Sequence, residues 1–216
     1  MLTPRLDVLP PAQRALWAEL TAVPKRYVLY GGTALALRLG HRASVDFDFF
    51  AHDPLDHREL EASLSIVEHG ETAQEAPNER TVLTGRAGSS VKISFFGGVG
   101  IGRVGEPEET QEGIRVASLL DLGGTKVKAL LQRLEAKDYL DVAALLAAGV
   151  ALVDILGAAR ALFGPSFNPL VAQKALVYFE GGDLDTLSED VRQRLIAEAT
   201  RDLPVVPLPL RSRRLD

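Results

Sequence analysis

Two hundred and sixteen residues with a formal net charge of −5, 46% hydrophobic and 25% charged, suffice for one good core, or for one domain with a helical appendage. The chain has no cysteine, which excludes a disulfide framework, a thiolate metal site and a cysteine nucleophile, and its four histidines are too few for a histidine-rich metal cage. Charges and prolines interrupt the first twenty residues where a signal peptide needs an apolar stretch, and no run approaches the roughly 18 apolar residues of a membrane span, so the expectation is a cytoplasmic protein with no membrane partner. The acidic balance argues against a general nucleic-acid coat while leaving room for a local basic stripe. What remains for chemistry is carboxylate, lysine, hydroxyl and backbone, with a hard metal as helper.

Along the chain, Ala15, Leu16, Ala18 and Leu20 around Trp17 predict a helix from Pro11 to Ala22, stopped by Pro24. Arg26 to Tyr30 is a short β-rich run that leads into Gly31-Gly32-Thr33 and an apolar helix from Ala34 to Leu39, ended by Gly40. Ser44 to Phe50 alternates, with Val45, Phe47 and Phe49 predicted on one face and Asp46 and Asp48 on the other. A helix over Asp56 to Ser63 and strands at Leu64 to Glu68, Thr81 to Thr84, Ser90 to Phe96 and Ile114 to Val116 follow, separated by glycine and proline clusters. From Ser118 the period becomes helical. Val127, Leu130, Leu131 and Leu134 stand at i, i+3, i+4 and i+7, and Tyr139, Val142, Ala143 and Leu146 repeat the spacing. Further helices are expected at Ala151 to Phe163, Pro169 to Phe179, with Tyr178 and Phe179 packed inward, and Ser188 to Arg201. The predicted division is an α/β core over residues 1–117, a helical region over 118–202 and an extended or loosely held tail over 203–216.

Gly31-Gly32-Thr33 and Asp46-Phe47-Asp48 carry the chemistry. Glycines between a strand and a helix permit close backbone approach, and a helix N-terminus favours an anionic phosphate. Aspartates at i and i+2 of a strand share a face, about 7 Å apart at the Cα level, near enough to flank a divalent cation. The ordinary alternative is a solvated strand face. Against it stand the mutual repulsion of the two carboxylates, the poor strand propensity of aspartate and the neighbouring Arg42 and Ser44, which add a cation and a hydroxyl. If the strands are neighbours, phosphate cradle and metal ligands meet in one cleft, as metal-assisted nucleotidyl transfer requires.

A second constellation lies in the helical half. Lys126, Arg133 and Lys137, spaced by seven and four, fall within about 40° on a continuous helix, a stripe suited to a triphosphate or an RNA backbone. A solvated helix face near Glu135 is the plain alternative. Asp138 would point into the apolar face of an unbroken helix, so a break near Ala136 is expected, with Asp138 in the first turn of the next helix.

Taken together, Gly31-Gly32-Thr33-Ala34-Leu35, His41-Arg42-x-Ser44-x-Asp46-x-Asp48-Phe49-Phe50, and Lys126-x-x-Ala129-Leu130-x-x-Arg133 with Lys137-Asp138-x-x-Asp141 resemble the AbiEii/AbiGii nucleotidyltransferase toxins, over about residues 25 to 180. The resemblance implies an α+β, polymerase-β-like nucleotidyltransferase core, a mixed sheet with flanking helices, followed by a C-terminal helical region. It also implies a toxin-like role in a toxin–antitoxin or abortive-infection system, with a cognate antitoxin and transfer from a nucleoside triphosphate to an acceptor, RNA such as tRNA, helped by Mg²⁺ or Mn²⁺. Asp46 and Asp48 would be metal ligands and, with Lys126, Asp138 and Asp141, catalytic. Gly31, Gly32, Thr33, Arg42, Ser44, Arg133 and Lys137 would bind nucleotide.

One departure stands out. Polymerase-β-like enzymes commonly carry a third carboxylate on a following strand, and Ser90-Val91-Lys92-Ile93-Ser94-Phe95-Phe96 contains no acid. Asp138, Asp141 or Glu106 substitutes, the base is dispensable, or the chain is a weakened nucleotide-binding or interaction protein of the same fold. His52, His57 and His69 show no ligand spacing.

Overall fold

The computed structural model describes all 216 residues, which gather into two compact units. The first comprises Met1–Ile101, Glu106–Ala117 and Arg213–Asp216, and the second Gly102–Gly105 and Ser118–Ser212.

The first unit is built on one mixed sheet. Its strands are β1 (Val28–Tyr30), β2 (Asp46–Phe50), β3 (Glu71–Ala76), β4 (Glu79–Arg86), β5 (Ser89–Phe96), β6 (Glu108–Glu109) and β7 (Arg115–Val116), in the spatial order β3-β4-β5-β2-β1-β7-β6. β2 lies antiparallel to β1 and parallel to β5, while β1 and β7 are parallel. Phe47, Phe49, Ile93 and Phe95 turn inward and are fully buried, with Phe49 stacked on Phe95 and Trp17 tilted against Phe47. Each such aromatic contributes about 1.5–3 kcal/mol by leaving water. Helix α1 (Pro11–Trp17), extended by a 3₁₀ turn through Ala22, buries Leu16 and Trp17.

Helix α2 (Gly31–Leu39) follows β1 without an intervening loop. The glycines expected to precede the helix are therefore its first turn. At its other end Arg38 reaches β7, donating to the carbonyls of Val116 and Ala117 and pairing with Glu108 at 2.6 Å. This guanidinium, buried along its stem, fixes the helix axis and with it the position of the helix N-terminus.

Two local expectations are corrected, and one strand, β3, has no counterpart among the predicted elements. Val45 is 53% exposed, because β2 begins only at Asp46 and Val45 belongs to the approach, its carbonyl accepting from the Gln13 side chain. Leu64 to Glu68 is not a strand. After α3 (His57–Ser63), capped by the Asp56 carboxylate, the chain forms a single further turn, α4 (Ser65–Glu68), whose consecutive Ile66 and Val67 are both buried, which a half-buried strand would not allow. β3, reading Glu-Thr-Ala-Gln-Glu-Ala, carries no apolar alternation because it is an edge strand exposed almost throughout.

The second unit is helical: α5 (Leu119–Ala129), α6 (Ala136–Ala147), α7 (Leu152–Phe163), α8 (Pro169–Leu176) and α9 (Glu189–Ala199), with α5 packed on α7. Ser118 caps α5 by accepting from the Asp121 N–H and donating to its carboxylate at 2.6 Å. Asp121 in turn accepts from the N–H groups of Val104 and Gly105, tying the incoming loop to the helix start. Tyr178, expected inside, is half-exposed, since α8 ends at Leu176 and the helical phase that would have turned it inward is lost. The proline-rich tail is extended but held. Within the second unit Leu208 N–H donates to Gly157 and Arg211 N–H to Arg103. Within the first, Leu215 is buried and Arg214 binds both carboxylate oxygens of Asp53.

Candidate functional site

Two groups of charged residues form, one in each unit. In the first, the alternation of β2 sends Phe47 and Phe49 into the core and leaves Asp46 and Asp48 half-buried on the opposite face. Gly31 opens α2 beside them with φ +74°, and a Cβ there would stand 2.7 Å from Asp48 Oδ2. Left-handed backbone and close approach to a carboxylate both require glycine at this point. A Cβ on Gly32 would overlap the Arg42 guanidinium and crowd the Ser44 hydroxyl at 3.2 Å. The Thr33 hydroxyl donates to the Asp46 carbonyl and lies 2.8 Å from the Ser44 hydroxyl, which stitches the first turn of α2 to the start of β2. Gly31, Gly32, Thr33, Arg42, Ser44, Asp46 and Asp48 thus meet at one place. Tyr30, in the cap position of α2, makes no side-chain capping bond, and the side chain nearest Gly31 is that of Asp48.

The parallel register of β2 and β5 adds two residues that the sequence did not single out. Lys92 is level with Asp46 and Ser94 with Asp48. Lys92 Nζ lies 3.1 Å from Asp46 Oδ2, with side-chain exposures of 44% and 37%. Ser94 is buried and accepts from Thr81 Oγ1 at 3.1 Å. The alternation of Ser-Val-Lys-Ile-Ser-Phe-Phe placed both on the polar face of their strand. The register that puts them beside the aspartates is a tertiary fact.

In the second unit Lys126 is 6% exposed and lies 2.9 Å from Asp138 Oδ1 and 2.6 Å from Asp141 Oδ2, both fully buried. Arg133 closes on Asp138 through Nε at 2.7 Å and a second nitrogen at 3.1 Å. Burial alone would push the Asp138 carboxyl up, but the bonds and charges of Arg133 and Lys126 outweigh it and hold it below the ordinary 3.8. Asp121, buried with weaker partners, is pushed up. Lys126, Arg133 and Lys137 do not form a continuous stripe: α5 ends at Ala129, the segment 130–135 turns, and α6 starts at Ala136 with Asp138 in its first turn. Lys126 faces inward, and Lys137 joins the network only at its rim, through Glu135, which lies 2.6 Å from Lys137 and 3.6 Å from Arg133.

No set of three or more His, Asp or Glu side chains is arranged around a common metal position. Asp46 and Asp48 nonetheless fit a hard divalent ion bound with a substrate. Such an ion commonly takes one or two protein carboxylates and completes its shell with phosphate oxygens and water. No helix is long and apolar enough to cross a membrane.

Comparison with solved structures defines the class of fold. The chain is similar to JHP933 from Helicobacter pylori, with a TM-score of 0.58, 15% identity and 92% of each chain covered. It is also similar to MenT4, a nucleotidyltransferase toxin from Mycobacterium tuberculosis H37Rv, with a TM-score of 0.51, 14% identity, and 87% of this chain and 83% of that one covered. The mixed sheet with flanking helices is a nucleotidyltransferase fold, the α+β architecture that the motifs imply. Residues 14–209 match the model of the family described as nucleotidyl transferase AbiEii toxin, type IV toxin–antitoxin system. The chain belongs to the AbiEii nucleotidyltransferase family. It is also 30% identical over 119 residues to an uncharacterized protein of Aquifex aeolicus strain VF5, a match covering 54% of this chain and 55% of that one. The chain therefore spans about half the length of the curated relative it matches.

Proposed function

We propose that this protein transfers a nucleotidyl group from a nucleoside triphosphate to an acceptor, RNA such as tRNA, using Mg²⁺ or Mn²⁺, as the toxin of a pair whose antitoxin restrains it. The observation that carries this reading is the approach of the first turn of α2 to β2, where Gly31, at φ +74°, lies against the Asp48 carboxylate and Thr33 donates to the Asp46 carbonyl. Gly31, Gly32 and Thr33 would offer backbone N–H groups and a hydroxyl to the phosphates, with Arg42 and Ser44 beside them. Asp46 and Asp48 would hold the divalent ion, which when bound stabilises negative charge on the phosphate oxygens. The acceptor hydroxyl oxygen bonds to the α-phosphorus, the bond to the α–β bridging oxygen breaks, pyrophosphate leaves with the electron pair, and the hydroxyl proton passes to solvent. Within the second unit, Lys126, Asp138 and Asp141 would position Arg133, the half-exposed cation of their network, toward an anionic ligand.

The test is labelling of an RNA pool with a radiolabelled nucleotide. Asp46→Asn combined with Asp48→Asn is expected to abolish labelling and leave the fold intact. Full labelling by the double variant would refute the assignment. A second reading, nucleotide binding without turnover, is motivated by β5, which presents Lys92 and Ser94 beside the aspartates and no acid. Mg²⁺-dependent nucleotide binding in calorimetry, with no transfer to any RNA, would select it.

A further inference from the structure

The polar face shared by β2 and β5 holds two carboxylates and one lysine, and the lysine is the part that neither the fold nor its burial requires. Lys92 stands level with Asp46 on the neighbouring parallel strand, 3.1 Å from its carboxylate. It remains 44% exposed, so its four-carbon stem can re-aim at little cost. A face that holds two divalent ions close together needs enough carboxylate oxygen to offset their mutual repulsion. Here the next rung offers Ser94, buried and engaged with Thr81. An ammonium thus stands on one flank of Asp46, where a second divalent ion would compete with it for the carboxylate.

Resting on the nucleotidyltransferase reading above, we propose that Lys92 is the built-in second cation of the nucleotide site. It limits the Asp46/Asp48 face to one divalent ion per bound triphosphate and, with Arg42 beside the glycine turn, supplies the remaining positive charge to the phosphates. Lys92 then has two partners: Asp46 before the nucleotide arrives, and a phosphate oxygen together with Asp46 afterwards. The exposed geometry suits this exchange, since a deeply buried pair would have to pay desolvation again at each turnover.

The experiment counts Mn²⁺ by electron paramagnetic resonance on the full chain saturated with a triphosphate whose α–β bridge is methylene. Calorimetry measures the analogue's affinity, and thermal unfolding verifies each variant's fold. The wild type and Lys92→Arg should take up about one Mn²⁺ per chain, as expected for a site of two carboxylates and substrate oxygens. Lys92→Gln should keep that stoichiometry but bind the analogue about tenfold more weakly, the scale of one charge-assisted hydrogen bond. Lys92→Glu, which puts a third carboxylate on the same rung, should raise the count to about two. Two ions in the wild type, unchanged affinity in Lys92→Gln, or a single ion in Lys92→Glu would each overturn the role of Lys92 while leaving nucleotidyl transfer standing. A wild type that takes up neither analogue nor Mn²⁺ would overturn both, and RNA labelling by wild type but not by the Asp46/Asp48 variant separates the two failures.

Discussion

The two units hold nearly the same charges, a lysine with two aspartates, in opposite settings. On the sheet, Lys92 and Asp46 are 44% and 37% exposed, and Asp48 lies against the first turn of a helix. In the helical unit, Lys126 sits between Asp138 and Asp141 with almost no exposure, and Arg133 supplies the second positive charge. Lys126, Asp138 and Asp141 are buried together, and their excess carboxylate is answered at the edge by Arg133, which is half-exposed, so the charge held away from water is offset. The sheet set is balanced likewise once Arg42, beside Gly32 and Ser44, is counted with Lys92 against Asp46 and Asp48, but its lysine pair stands in water. Packing maintains the first kind of cluster and solvent maintains the second, so only the second can change partners cheaply.

The largest expected effect comes from unbalancing the buried set. Asp138→Ala leaves Lys126 and Arg133 without their shared carboxylate, and removing one partner of a buried pair costs about 3–5 kcal/mol. Urea unfolding should show that loss, and a change under about 1 kcal/mol would mean that water reaches the network. The pH dependence sharpens the point. Because the folded Asp138 carboxyl lies below 3.8, its contribution is present above that value and drains away as the pH falls through the lowered one. Asp121 has the opposite sign: its raised carboxyl works against folding when ionised, and this cost is relieved as the pH falls toward 3.8. Asp138→Asn should flatten the acid limb of stability against pH, and Asp121→Asn should steepen it.

An intermediate effect is expected at Gly31. Alanine there meets φ +74° and a Cβ 2.7 Å from Asp48 Oδ2, and the left-handed backbone alone costs about 1–2 kcal/mol. Gly31→Ala should therefore lower stability by about that amount and weaken triphosphate binding as well, because Asp48 must move. Gly32→Ala meets the Arg42 guanidinium, which donates to the Ala43 carbonyl and must be displaced, so its loss should appear chiefly in nucleotide affinity, with a smaller loss of stability than at Gly31. Equal destabilisation by the two would show that α2 is held by something other than this contact.

What could be read from the sequence follows the same division between local and tertiary causes. Phe47 and Phe49 alternate with Asp46 and Asp48, so the two faces of β2 were legible, and the motifs carried the class of fold. Lys126, Arg133, Asp138 and Asp141 were legible as a group, but not as one whose lysine and aspartates face inward while Arg133 stays half-exposed, because a turn over residues 130–135 separates α5 from α6. The Ser118-x-x-Asp121 box is a local pattern that was open to reading. The use of Asp121 to hold the Val104 and Gly105 amides was not, since it depends on a loop brought back from sixteen or seventeen residues away. Lys92 was the least legible of all: its place beside Asp46 depends on a parallel register between strands separated by two helices and a hairpin.

The smallest expected effect is the one that decides the comparison. If the Lys92–Asp46 pair is a solvated contact kept for exchange, Lys92→Gln should change stability by no more than about 0.5 kcal/mol, as for other exposed pairs. That small contribution should vanish in 1 M salt, where the screening length falls to about 3 Å. Lys126→Gln removes the same charge from the same residue type, yet it leaves two buried carboxylates facing one another with only Arg133 to answer them, and should cost several kcal/mol at either salt concentration. The ratio of the two losses, measured by urea unfolding at low and high salt, isolates the setting of a lysine from its chemistry. Comparable losses with a common salt dependence would make Lys92 a structural residue, and the contrast between the two clusters would fall with it.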